Sequence, residues 1–291
     1  MGDAVLADAA GGGRFIAGST LDEAVGNARR LNGEGIRLTM DHLGEAVTSE
    51  AEAEAAAQEY HVLLGRIAKE KLDSTVSIKL TQVGLALDAG KCRERVRALV
   101  ERSVQVGSSV EIDMEDTPYT DVTLDIYREM LKVDPKLRVC LQAYLFRSME
   151  DLKGLIELRG SVRLVKGAYK EPPSVAFPAK RDVDANFDRM TECGMSKAAV
   201  GRGFYLAAAT HDDRRVERAL AVEKENGLSR SQFEFQFLYG IRTELQRRLA
   251  RDGCTVRVYL PYGEQWYPYF MRRLAERPAN VLFLLKNLFK S

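Results

Sequence analysis

A distorted (βα)8 TIM barrel, an α/β chain closed as a single domain, is the fold this sequence predicts, and three observations predict it. Short apolar β-type runs alternate with longer, helix-patterned stretches to the end of the chain. There are eight of each, and eight consecutive βα units point to a closed barrel, for which 291 residues is a normal length. An open doubly wound sheet would show a glycine-rich phosphate turn after an early strand. Here Gly11-Gly12-Gly13 follows no strand and is no G-x-G-x-x-G.

In chain order, residues 1–14 are expected to be a flexible segment, because 9–13 are only alanine and glycine, and residues 15–291 form the barrel. Strands are expected at 36–43, 75–83, 109–115, 138–145, 162–168, 204–211, 233–238 and 255–260. Amphipathic stretches at 21–31, 50–71, 92–106, 122–132, 149–158, 184–199, 213–225 and 241–251 are each long enough for a crossover helix. No linker divides the chain.

The composition is globular, with 45% hydrophobic and 29% charged residues. Forty-three basic against 42 acidic side chains leave +1, so no nucleic-acid partner is expected and any anion recognition must be local. Cys92, Cys140, Cys193 and Cys254 are widely spaced with no C-x-x-C, and no secretory segment precedes them. Reduced thiols in a cytoplasmic protein without a metal site are the expectation. The apolar run 281–289 is too short to span a membrane and is broken by Lys286 and Asn287, so it reads as a packed terminal helix.

In a barrel, chemistry belongs at the carboxyl ends of the strands. There the sequence collects Asp41, His42, Glu45, Lys79, Asp113, Gln142, Arg163, Lys166, Thr210, His211, Gln236 and Tyr259. Charged residues inside apolar strands require partners, and a purely structural Lys79–Asp113 pair would supply two of them. The stretch 259–276 adds Arg272 and Arg273 among aromatic rings. In a helix starting near Pro268, Tyr269, Arg272, Arg273 and Glu276 share one flank. Cations at a helix start oppose the macrodipole, so the pair suits a bound carboxylate or phosphate, the alternative being a solvated surface pair. Lys166-Gly167 sets a cation beside a backbone position without a side chain, which admits a phosphate or planar ring, the alternative being an ordinary glycine turn. Three histidines without H-x-H or H-E-x-x-H give no metal hydrolase, and no G-x-S-x-G elbow is present.

Taken together, Asp41-His-Leu-Gly-Glu45, Ser77-Ile-Lys-Leu80, Glu111-Ile-Asp113, Val162-Arg-Leu-Val-Lys-Gly-Ala-Tyr169, Ala209-Thr-His211, Phe233-Glu-Phe-Gln-Phe-Leu238 and the stretch 259–276 resemble the proline dehydrogenase family. The likeness is to short, monofunctional bacterial forms and covers nearly everything after Phe15. It implies a barrel holding FAD noncovalently and oxidising L-proline to pyrroline-5-carboxylate. Electrons would then pass to a quinone, and the product to a pyrroline-5-carboxylate dehydrogenase.

Carried over by position, the resemblance implies that Arg272, Arg273 and Lys79 bind the proline carboxylate. Tyr259, Tyr269, Leu238, Ala168 and Tyr169 would wall the ring, while Asp113 and Glu276 order the tyrosine and the cations. Glu45 would gate the site by pairing with Arg272. On the cofactor side, Arg163 would face the redox-active flavin nitrogen and Gln142 the pyrimidine edge. Val165, Lys166, Gly167 and Ala168 would lie along the cofactor, Thr210 and His211 near its phosphate or adenosine portion, Gln236 in the same lining, and Lys180 near the phosphates. The phenol of Tyr259 implies a preference for proline over hydroxyproline.

Family members usually carry a helical arm before the barrel, so the likeness implies that the arm is missing here. Oligomeric state and peripheral membrane contact stay open. Two other classes compete: a cofactor-free barrel enzyme in which Arg272 and Arg273 clamp a phosphate and Lys79–Asp113 performs acid-base work, and a catalytically silent barrel that binds an amino acid.

Overall fold

The computed structural model describes residues 15–44 and 46–266. Within them, eight parallel strands close into a barrel in sequence order, with the last pairing back to the first. The strands are β1 Arg37–His42, β2 Ser74–Ile78, β3 Val110–Ile112, β4 Arg138–Gln142, β5 Ser161–Val165, β6 Tyr205–Ala209, β7 Phe233–Leu238 and β8 Val256–Tyr262. The helices are α1 Leu21–Gly33, α2 Glu50–Glu70, α3 Ala89–Gln105, α4 Thr120–Met130, α5 Ser148–Glu157, α6 Lys180–Gly194, α7 Lys197–Gly201, α8 Asp213–Asn226 and α9 Thr243–Arg251.

Local chemistry explains the helix starts. Thr20 and Glu23 form a reciprocal capping box on α1, Ser49 accepts from Glu52 N on α2, and Asp88 accepts from Gly90 N and Lys91 N on α3. Each satisfies backbone donors that lack a partner within the helix.

All eight expected strands are present, but several end early. The expected 75–83 strand stops at Ile78, because the chain folds back with Leu85 N donating to Leu80 O at 2.9 Å. Likewise 109–115 contracts to Val110–Ile112, 138–145 ends at Gln142 and 162–168 ends at Val165. The expected 184–199 helix is two helices, starting at Lys180 and interrupted where Ser196 Oγ caps α7 by accepting from Ala199 N at 3.2 Å.

Alternation along the strands builds two different cores. Leu38, Met40, Val76, Ile78, Val139, Leu141, Val162 and Leu164 are buried in one apolar cluster with Tyr60, Leu63 and Leu64 of α2, Leu99 of α3 and Ile126 of α4. Burying each such aliphatic side chain contributes about 1.5–3 kcal/mol. The other strand face, inside the barrel, is polar and ionic. Its layer nearer the strand starts contains Thr39, Thr75, Glu111, Arg138, Glu234 and Arg257, and the layer nearer the mouth contains Asp41, Ser77, Lys79, Asp113, Arg163, Gln236 and Tyr259.

Candidate active site at the barrel mouth

Glu111 joins the two ionic layers. Its Oε1 accepts from Thr39 Oγ1 and Thr75 Oγ1, each at 2.8 Å, and from Arg138 Nη1 at 3.1 Å, while Oε2 accepts from Arg163 Nη2 at 2.5 Å. Glu234 accepts from Arg138 Nη1 at 2.6 Å and Arg257 Nε at 2.8 Å. Burial raises the Glu234 carboxyl, but the charges of Arg138 and Arg257 outweigh it and bring the pKa from 4.5 to about 2.

Nearer the mouth, Lys79 Nζ lies 3.2 Å from both Asp41 Oδ2 and Asp113 Oδ2 and donates to Tyr259 Oη at 3.3 Å. Tyr259 Oη in turn donates to Asp113 Oδ2 at 2.8 Å. Arg163 bonds to Asp113 Oδ1, and its guanidinium carbon lies 5.1 Å from the centre of the Tyr259 ring. Burial lowers the Lys79 pKa, but Asp41 and Asp113 hold it well above the ordinary lysine value. Burial likewise raises Asp113, while Lys79 and Arg163 hold it below the usual carboxylate range. Both groups therefore stay charged at neutral pH. Among the described residues the lumen contains four cations (Lys79, Arg138, Arg163, Arg257) and four carboxylates (Asp41, Glu111, Asp113, Glu234), so its formal charge cancels.

Closed topology divides the mouth into two contiguous halves. Tyr259, Asp41, Lys79 and Asp113 belong to β8, β1, β2, β3 and the positions just past their ends. Gln142, Arg163 to Ala168, Thr210, His211, Gln236 and Leu238 belong to β4 through β7 and their carboxyl ends. In this second half, Gln142 Nε2 donates to Glu115 O at 2.9 Å, and Gln142 Oε1 accepts from Ala168 N at 3.4 Å. The Val165 carbonyl accepts from Ala143 N at 2.8 Å. Gln236 Oε1 accepts from Arg163 Nε at 2.7 Å. His211 Nε2 accepts the backbone N–H of Leu238 at 3.0 Å, and Thr210 Oγ1 accepts from Asp212 N at 3.2 Å.

Lys166 reaches Asp212 Oδ2 at 2.8 Å and Asp184, which also pairs with the exposed Lys180 from the first turn of α6. Thus both lysines already share carboxylates, a constraint that strand reading could not foresee. Tyr169 follows on the exposed segment after β5. Gly167 has φ +125°, and a Cβ there would collide with the Tyr144 ring, so that ring is one neighbour that requires glycine. Gly167→Ala is expected to cost about 1–3 kcal/mol from the backbone conformation and more from the clash. Thermal unfolding checks this, and an unchanged Tm would show that this turn is not fixed by its glycine.

Glu45, Tyr269, Arg272, Arg273 and Glu276 lie outside the described residues. The strand reading overlooked Arg138, Glu234 and Arg257 and gave Glu111 no function. A signal was present: Glu111, Glu234 and Arg257 each stand two residues before a noted mouth residue, and period two places both on one strand face. All four cysteines are free, and burial pushes the Cys92 and Cys140 thiols up to about 12, which keeps them protonated.

Comparison with known proteins places this geometry. Residues 24–286 match the proline dehydrogenase family profile. The chain is 44% identical over 280 residues to proline dehydrogenase 1 of Bacillus subtilis strain 168, covering 96% of this chain and 91% of that one. It is 37% identical over 282 residues to proline dehydrogenase of Deinococcus radiodurans, covering 95% and 89%. The crystal structure of proline utilization A from Bdellovibrio bacteriovorus inactivated by N-propargylglycine superposes with a TM-score of 0.83 at 26% identity, over 90% of this chain and 32% of that longer one. With a barrel mouth of matched charges and a family match running through nearly every element that builds it, the chain belongs to the proline dehydrogenase family.

Proposed function

We propose that this chain oxidises L-proline to Δ1-pyrroline-5-carboxylate as an FAD-dependent, quinone-reducing dehydrogenase, the first step of proline breakdown. The observation that carries the reading is the Arg163–Tyr259–Asp113 contact, where the two halves of the mouth meet. The half from β8 to β3 suits a small amino acid, and the half from β4 to β7 suits an extended anionic cofactor.

The residues fit that cofactor. Arg163 sets a buried guanidinium at the boundary of this half, with Nε donating to Gln236 Oε1 at 2.7 Å, and a planar cation with directed donors suits an electron-rich ring. Lys166, the Gly167 and Ala168 backbone, Thr210 and His211 follow along adjacent strand ends, with Lys180 and Gln236 beside them. When bound, FAD supplies a two-electron acceptor for hydride. Gln142 and Val165 line the same half.

Lys79, Arg272 and Arg273 bind the proline carboxylate. Because the described lumen is formally neutral, the two arginines supply the excess positive charge that this anion requires. The Lys79 contacts at 3.2–3.3 Å are at the long end for hydrogen bonds, so turning one donor toward substrate costs little. Tyr259, Tyr269, Leu238, Ala168 and Tyr169 enclose the ring. Asp113 and Glu276 orient the phenol and the cations, and Glu45 releases Arg272 as substrate enters. A pyrroline-5-carboxylate dehydrogenase takes the product, and quinone reduction brings the protein to the membrane surface.

Anaerobic titration with L-proline provides the test: yellow FAD-loaded protein should bleach. Loaded protein that proline leaves oxidised would reject the reading, and a colourless preparation turning over a phosphosugar would favour the cofactor-free alternative. The pH dependence has a definite sign. Lys79 is raised and Asp113 lowered, so neither titrates near neutrality and the profile reports the substrate amine, whose neutral form stabilises the developing iminium. Proline kcat/KM should rise by up to roughly tenfold per pH unit toward alkaline pH. Fastest turnover in acid would contradict this.

A further inference from the structure

We infer that Glu111, a buried residue of β3 below the mouth, is the positioning residue that fixes the Arg163 guanidinium, and through it the electrostatic environment of the flavin. This rests on the reading that Arg163 faces the cofactor.

Arg163 is held on three sides. Nε donates to Gln236 Oε1 at 2.7 Å, Nη1 bonds to Asp113, and Nη2 donates to Glu111 Oε2 at 2.5 Å. Asp113 is shared with Lys79, Tyr259 and Ser77, whose Oγ donates to it at 2.8 Å, so its position responds to groups proposed to touch substrate. Gln236 is neutral. Glu111 is the charged acceptor anchored away from the mouth, because its other oxygen is fixed by Thr39, Thr75 and Arg138 from three further strands. The carboxylate thus transmits the rigidity of the lower layer to the plane of the guanidinium. Without it, the guanidinium keeps only Gln236 and the mouth groups Asp113 and Ser77, and can swing out of the plane that Glu111 fixes.

The direction of the effect separates positioning from simple charge. Removing a nearby negative charge alone would favour the reduced or anion-bound flavin, whereas losing the alignment of Arg163 would disfavour it.

The experiment measures sulfite affinity, from bleaching of the flavin absorbance, and the flavin midpoint potential in FAD-loaded wild type, Glu111→Gln, Glu111→Asp and Arg163→Lys. Circular dichroism checks folding. Groups that orient metal ligands are worth about 10–100-fold, and the same scale is expected of Glu111 as the holder of Arg163. Both Glu111 variants should therefore bind sulfite at least about tenfold more weakly, with a lower potential. Tighter sulfite binding in Glu111→Gln with no change in Glu111→Asp would show a bare charge effect and overturn the inference. Unchanged Glu111 variants beside a weakened Arg163→Lys would also overturn it, leaving the cofactor reading intact. If Arg163→Lys is unchanged as well, the placement of Arg163 against flavin fails and the inference with it. Should Glu111→Gln not fold, the charge-conserving Glu111→Asp decides.

Discussion

Replacing Asp113 by alanine is expected to lower proline kcat/KM by about 100- to 1,000-fold, because one carboxylate holds four groups of the mouth. Its Oδ2 accepts from Tyr259 at 2.8 Å and lies 3.2 Å from Lys79, while Oδ1 engages Arg163 and accepts from Ser77 Oγ at 2.8 Å. Truncating one partner of a buried, hydrogen-bonded charge pair costs about 2–5 kcal/mol, and each 1.4 kcal/mol is about tenfold in rate or affinity. The loss should appear in both KM and kcat, since Lys79 is proposed to bind carboxylate and Tyr259 to set the ring against the flavin. Steady-state kinetics on FAD-loaded protein are the measurement. Asp113→Asn keeps the shape and should recover only a small part. Wild-type kinetics in Asp113→Ala would show that the cluster holds the barrel together without serving the reaction.

Glu234→Ala carries the largest expected effect on stability. It removes the nearer of the carboxylates that Arg138 and Arg257 share, at 2.6 and 2.8 Å, and leaves these buried arginines Glu111 at 3.1 and 3.7 Å. Breaking a buried ionic cluster in this way costs about 3–5 kcal/mol. At about 2–4 °C per kcal/mol for a domain approaching this size, Tm should fall by about 10 °C. Glu54, which pairs with Arg95 at 3.1 Å but has a side chain 71% exposed, supplies the control: Glu54→Ala should change stability by less than about 0.5 kcal/mol. Linkage gives a second check. Because the Glu234 pKa is depressed from 4.5 to about 2, its stabilisation is fully present above pH 4.5 and disappears as pH falls toward 2. The shift corresponds to about 3 kcal/mol. Acid unfolding that is identical in Glu234→Ala and wild type would contradict this linkage.

The architecture was legible because parallel strands covered on both sides leave apolar runs between amphipathic helices. The endings were less so. In Lys79-Leu-Thr-Gln-Val83 the apolar residues read as extended chain, yet the backbone turns, with Gln82 N donating to Lys79 O at 3.1 Å. At Ser196 a capping hydroxyl restarts a helix that periodicity alone would continue.

The site was legible residue by residue and opaque in its pairings. That Lys79, Asp113, Gln142, Arg163 and Gln236 need partners follows from charge and amide groups in an apolar strand. That Arg163 of β5 reaches Glu111 of β3 and Gln236 of β7 depends on stagger around a closed sheet, which no local pattern encodes. Asp184 and Asp212 escaped notice as holders of Lys166 because both sit at or near helix starts, where acidic residues are common for capping reasons.

The ionic lumen also constrains assembly. A strand that slid by one residue against its neighbours would drive its charged side chains into the hydrocarbon shell beneath the helices and strand its valines and leucines among carboxylates. An all-aliphatic interior would penalise such slippage far less. The buried ions therefore work as a keyed lock on alignment, favouring one stagger of the eight strands and making misthreaded barrels costly once the helices cover the sheet.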